Sequence, residues 1–189
     1  MKKTEERLLY QGDWLRMKEI VLANARGDPI RWEMVERRAS RTTLAIHAIL
    51  QPSRRHLLIR QFRPPIGGWI LAFPAGVAES EDIAAEAVRE LQEETGYLGR
   101  VIEISPRLKV NAAIMNENSY LVSMEVDETD PDNANPRQSL DLAEEIQVYL
   151  VETDRIREFL LREQACGTEI GSGLWYLFGC NLSGEGKIR

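Results

Sequence analysis

The stretch GVAESEDIAAEAVRELQEETGY, residues 76–97, decides how the rest of this chain is read. From about Asp82 to Thr95 its residues follow a helical repeat, and Gly96 stands where a helix commonly stops. On a wheel of about 100° per residue, Ala84, Ala87, Val88, Leu91 and Thr95 gather on one side. Glu86, Glu90, Glu93 and Glu94 gather on the other, with Arg89 as the one balancing charge. Like charges at i,i+4 destabilise a helix by a few tenths of a kcal/mol per pair. Two readings fit this face. It is either a solvated charged surface or a set of oxygen ligands for a hard divalent cation such as Mg²⁺, which needs no histidine. Arg89 is placed to pair with Glu93 and fix its orientation, but the wheel alone does not choose between the two.

Working outward, residues 8–38 read as short strands, with turns at Gly12-Asp13 and at Gly27-Asp28-Pro29. TTLAIHAIL and RHLLIRQF are β-rich runs separated by QPSRR, the pattern of a hairpin or of adjacent strands. RPPIGGWILAFPAG, punctuated by Pro and Gly, is expected to lead into a loop. Strands are expected at GRVIEIS, NSYLVSMEV and EIQVYLV, and a mobile loop at DETDPDNANPRQS. TDRIREFLLRE, capped by its Thr and Asp, and GSGLWYLFGCNL predict two further helices before a frayed SGEGKIR. Strands interleaved with a few helices indicate an α+β or mixed α/β architecture.

Composition narrows the function. The 189 residues suit one domain with a substantial core, or one domain with an appendage. A net charge of −6 argues against nucleic acid as partner, since a general binder shows a basic stripe. No apolar run approaches the roughly 20 residues a membrane helix needs, and the N-terminus lacks the apolar core of a signal peptide. Cys166 and Cys180 are the only cysteines, most simply free thiols in a reducing cytoplasm. With only His47 and His56, zinc chemistry and a Ser-His-Asp triad both lack support.

The acidic helix and its upstream loop resemble the Nudix box, G-x5-E-x7-R-E-U-x-E-E-x-G-U, where U is apolar. Arg89, Glu90, Leu91, Glu93, Glu94 and Gly96 match, Tyr97 ends the pattern, and Glu81 stands at the box distance from Arg89. Gly76 is one residue too close to Glu81, so the loop is shortened by one. QFRPPIGGWILAFPAG and RWEMVERR resemble the ADP-sugar (ADP-ribose) pyrophosphatase branch of that family, over most of residues 8–160. The resemblance implies an α/β/α sandwich around a mixed sheet, with residues 1–40 as an antiparallel β arm for dimerisation and base binding. Residues 41–180 would form the hydrolase domain and residues 181–189 a tail.

The same resemblance implies Mg²⁺, with Mn²⁺ as the alternative, held by Glu90, Glu94, Glu144 and the Ala75 carbonyl. Glu93 would orient Arg89 or join the metal shell, Glu145 could replace Glu144 if its loop slides, and Glu117 is a supporting candidate. Arg37 and Arg63 match positions that meet a diphosphate, for which the guanidinium fork is suited. Trp14 and Trp32 match aromatic positions that stack a nucleobase. The implied substrate is a small nucleotide sugar, cut to a nucleoside monophosphate and a sugar phosphate by a homodimer.

Ala72 stands where the branch often has glutamate, and Ala112-Ala113 where a Pro-Gly pair is common. These departures fall on the sugar side and leave the specificity open: ADP-ribose first, other ADP- or GDP-sugars next. A Nudix hydrolase of another nucleotide (a dinucleoside polyphosphate or an oxidised nucleotide) and a non-catalytic nucleotide-sugar sensor remain as alternatives.

Overall fold

The computed structural model describes residues 1–40 and 42–179. Strands β1 (Lys2–Gln11), β2 (Leu15–Ala23) and β3 (Pro29–Arg37) form a separate antiparallel sheet in that order. Its second turn is closed by Asn24, whose side-chain oxygen accepts from the backbone N–H of Arg26 at 2.8 Å and of Asp28 at 3.0 Å, the local bonding that makes Asn a turn residue.

The second sheet is mixed. Its strands are β4 (Thr42–Gln51), β5 (His56–Arg63), β6 (Gly68–Ala72), β7 (Ala75–Val77), β8 (Arg100–Ile104), β9 (Asn118–Asp127), β10 (Ile146–Val151) and β11 (Glu169–Ile170). β4 runs parallel to β9 along its whole length, from Thr42–Asn118 to Gln51–Asp127. Its other edge is divided, pairing β7 at Thr43–Ala45 and β5 at Ala48–Ile49. β5 in turn carries β10 on one edge and β6 on the other, and β11 extends β6. The sheet therefore splits into two blades that meet at the β4–β5 hairpin.

Alternation along β5 shows why helices cover both faces. Leu57 and Ile59 join Leu44, Ile46, Val122 and Met124 in one buried cluster, into which helix α1 (Ile83–Thr95) sends Ala87 and Leu91. Leu58, one residue out of phase, joins Leu71 and Phe73 in a second cluster closed by Ile156, Phe159 and Leu160 of helix α2 (Ile156–Ala165). A strand buried on both faces loses the alternation of polar residues and reads as a continuous apolar run, as HLLI does. The architecture is thus α+β, a mixed sheet between helical layers.

Four local expectations are corrected. The run RPPIGGWILAFPAG is not only loop: after a 3₁₀ turn at Pro64–Ile66, residues 68–72 form β6. The polar segment 127–139 is tied down. Asn133 is buried, donates to the carbonyls of Leu98 and Asp127 at 2.9 Å each, and accepts from the Leu98 N–H at 2.7 Å. Thr153 does not cap α2; its hydroxyl contacts His56 Nε2 at 3.0 Å and donates to the Arg54 carbonyl at 3.3 Å. The expected last helix is a single turn at Ser172–Leu174 that widens into a π-turn at Trp175–Gly179. Its expected continuation through Cys180 and the tail 181–189 lie outside the described residues. Cys166 is exposed and free.

Candidate active site

Helix α1 is fixed at both ends. Asp82 caps it by accepting from the Ala85 N–H at 3.1 Å, and Gly96 ends it with φ of 79°, a left-handed conformation that glycine adopts without strain. The loop 136–139 crosses the last turn and takes up two of its open carbonyls. Gln138 Nε2 donates to the Glu94 carbonyl at 2.6 Å, and the Ser139 N–H donates to that of Glu93 at 2.8 Å. This crossing delivers Asp141 and Glu144 to the mouth of the same cavity that α1 borders.

The acidic side of α1 is largely covered, with Glu93 its most exposed member. Arg89 donates to Glu93 at 2.6 Å, to Glu86 at 2.7 Å and to Glu90 at 2.8 Å, so one guanidinium serves three carboxylates and not Glu93 alone. Glu86 is buried on this contact; hydrogen bonds from Arg89 and then Ser80 hold its carboxyl at about 2. Glu94 is only 3% exposed and accepts from the Ala75 N–H at 2.8 Å. Burial pushes the Glu94 carboxyl up to about 8, with Glu90 and Glu144 adding to the effect and the Ala75 N–H and Arg63 opposing it. Burial also raises Glu90, against the pull of Arg89.

These groups line a cavity of about 670 Å³. Its acidic wall is Glu79, Glu90, Glu93, Glu94, Asp141 and Glu144, and its basic members are Arg37, Arg63 and Arg89. Gly76 makes the closest backbone approach, and a Cβ there would overlap the Glu90 carboxylate. The one-residue shortening of the upstream loop thus still brings a glycine against the acidic helix. Among the described residues no three His, Cys, Asp or Glu side chains are gathered tightly enough to enclose an ion alone. The donors are all oxygen, two of them raised by burial, and they border a space open to ligand. That set fits Mg²⁺, which retains waters and shares its shell with phosphates, better than an ion needing a closed protein cage.

Of the residues singled out in the sequence, Ala75, Glu90, Glu93, Glu94, Arg89, Glu144, Arg37 and Arg63 border this one cavity. Glu117 lines instead an adjoining cavity of about 230 Å³, where Arg37 Nε donates to it at 3.0 Å. Trp14, 83% exposed in the turn between β1 and β2, and Trp32, 50% exposed on β3, lie outside both cavities; the Trp32 indole N–H donates to the Ala113 carbonyl at 2.6 Å. Glu145 is likewise outside, its carbonyl accepting from the Phe62 N–H. Glu81 keeps the box spacing but is exposed and away from the cavity, whereas Glu79 lines it. Glu79 and Asp141 were not legible as site residues; their one signal is proximity to positions the pattern does mark.

The NUDIX domain family matches residues 41–168. An ADP-sugar pyrophosphatase of Mus musculus is 30% identical over 174 residues, covering 88% of this chain and 78% of that protein. An ADP-ribose pyrophosphatase of Saccharomyces cerevisiae is 33% identical over 162 residues, covering 79% and 68% respectively. Among solved structures, one described as an ADP compounds hydrolase superposes with a TM-score of 0.65 at 17% identity, covering 88% of this chain and 96% of that one. At that identity the likeness is one of fold.

Proposed function

This chain belongs to the NUDIX family, and from that premise we propose that it hydrolyses the diphosphate of ADP-ribose or a related nucleoside diphosphate sugar. The observation that carries the reading is the pairing of Glu94, buried and short of compensating charge, with Glu90 in a cavity that also presents Arg37 and Arg63. The relatives' names agree with it.

In this reading Glu90, Glu94, Glu144 and the Ala75 carbonyl hold Mg²⁺ or Mn²⁺, since both ions accept the same oxygen set. A divalent ion there supplies charge neutralisation and a more acidic bound water. Arg89 holds Glu86, Glu90 and Glu93 in place, so the acidic wall keeps its shape when substrate enters. Arg37 and Arg63 bind the diphosphate oxygens through planar N–H pairs and orient the chain for in-line attack. Water oxygen bonds to one phosphorus, the bridging P–O bond breaks, and a nucleoside monophosphate and a sugar phosphate leave. Glu144, on the loop that follows the α1 crossing, and Glu93 handle the proton. Glu117 acts in support, through Arg37.

Trp14 and Trp32 take the nucleobase, and two copies pair through the arm, which exposes Leu8, Tyr10, Trp14 and Leu15. No described helix is long and apolar enough to cross a membrane, and a cytoplasmic location belongs to the same proposal.

The test is phosphate release through a coupled phosphatase from ADP-ribose, ADP-glucose, GDP-mannose and Ap4A, with Mg²⁺ or with EDTA. Metal-dependent release from sugar nucleotides, ADP-ribose foremost, supports the reading. Preference for Ap4A moves the substrate to another nucleotide class. Sugar-nucleotide binding without release makes the protein a sensor.

A further inference from the structure

Residues 108–119 form a closed loop that the reaction scheme above leaves unexplained. Its neck is a pair of backbone bonds, Leu108 N–H to the Ser119 carbonyl at 2.8 Å and Ser119 N–H to the Leu108 carbonyl at 3.0 Å. Its tip is sewn to β3, where Val35 N–H donates to the Ile114 carbonyl at 2.8 Å and Trp32 to that of Ala113. Just inside the neck, Lys109 reaches back across the loop. Its ammonium donates to the Asn116 carbonyl at 2.9 Å, the Glu117 carbonyl at 3.1 Å and Asn118 Oδ1 at 2.8 Å. An ammonium has three N–H groups, and all three are used on three successive residues.

The middle residue of that triplet is Glu117. Its two carboxylate oxygens receive Arg37 Nε at 3.0 and 3.4 Å. Arg37 borders both the acidic cavity and its 230 Å³ neighbour. Among the described residues the guanidinium is engaged through Nε, and its two terminal nitrogens can donate to an anion in the cavities that Arg37 lines. The orientation of Arg37 therefore depends on where Glu117 stands, and Glu117 stands where Lys109 fixes its backbone. We propose that Lys109 is a positioning residue, clamping the 108–119 loop so that Glu117 aims Arg37 at the anionic part of the substrate. The inference rests on the assignment of Arg37 to the diphosphate.

The experiment compares Lys109→Met, Lys109→Arg, Glu117→Gln and the double variant Lys109→Met/Glu117→Gln, all as full chains. Loss of an interaction used equally in ground and transition state raises KM and spares kcat, here by about 5–20-fold for Lys109→Met on ADP-ribose with Mg²⁺. Glu117→Gln raises KM similarly, and the double variant is no worse than either single one, because both act through one contact. Lys109→Arg recovers most of the KM. Multiplying KM effects, or a lowered Tm with KM unchanged, would overturn the proposal, since a merely structural lysine behaves that way.

If the wild type turns over no sugar nucleotide, the functional assignment fails by itself. The clamp is then read from hydrogen exchange of the peptide spanning 111–118 in the free protein. Faster exchange in Lys109→Met that Lys109→Arg restores upholds it, and unchanged exchange overturns it.

Discussion

Two polar clusters lie on opposite faces of the central sheet, and they solve the problem of burial in opposite ways. On the α2 side, His47 Nε2 and His56 Nδ1 are 2.9 Å apart with rings stacked nearly parallel, and His56 Nε2 continues to Thr153. With His47 donating to His56, His56 to Thr153 and Thr153 to the Arg54 carbonyl, every proton in that chain has one acceptor. Burial pushes His47 down to about 4, and both rings stay neutral. On the α1 side, Glu94 and Glu90 receive one backbone N–H and a shared arginine, and their carboxyls are pushed up. Burial is common to both clusters, so burial does not mark a site. Unfinished charge compensation beside an open cavity does.

The strongest way to break this contrast is to neutralise its centre. Glu94→Gln should lower kcat at least about 10²-fold, the scale of removing one electrostatic group from a reaction centre, while the protein stays folded. Gly76→Ala should come next. The methyl group displaces the Glu90 carboxylate, the end of a flexible side chain, so turnover on ADP-ribose should fall about 10-fold or more with Tm changed by only a few degrees.

The two clusters also predict pH slopes of opposite sign, readable as Tm in EDTA. Folded Glu94 holds its proton up to about 8 against 4.5 for an ordinary glutamate. Its contribution is therefore full at low pH and is lost as pH rises through that window. Folded His47 refuses a proton down to about 4 against an ordinary 6.5, so its contribution is present above 6.5 and lost as pH falls towards 4. Glu94→Gln should flatten the first slope and His47→Gln the second, each by a few degrees of Tm at about 2–4 °C per kcal/mol for this size. Asn133→Ala should cost about 1–3 kcal/mol by chemical denaturation, since it leaves the Leu98 N–H and C=O without their partner and has no link to metal.

Much of α1 was legible because its signals are local. Asp82 and Gly96 mark its ends, the apolar stripe marks its buried side, and the spacing of Arg89, Glu90, Glu93 and Glu94 carries the family pattern. The wheel did not show that Glu94 is covered, because what covers it is Ala75 and the 136–141 crossing, remote in sequence. The tie of segment 127–139 was hidden for the same reason: Asn133 and Gln138 bond to carbonyls that only the fold brings near. β6 was masked by the Pro and Gly around it, although Trp69 to Ala72 pair with Phe62 to Ile59 once the turn is made. Trp14 and Trp32 are exposed and border neither cavity, so the family pattern is the one signal for their proposed use.

Whether Glu94 holds a divalent ion is read from the Mg²⁺-induced change in Tm between pH 6 and 8, wild type against Glu94→Gln. The wild type should show a rise that grows from pH 6 to 8, as Glu94 exchanges its proton for the ion, and the variant none. Equal shifts in the two proteins, or no shift in either at millimolar Mg²⁺, would contradict that role.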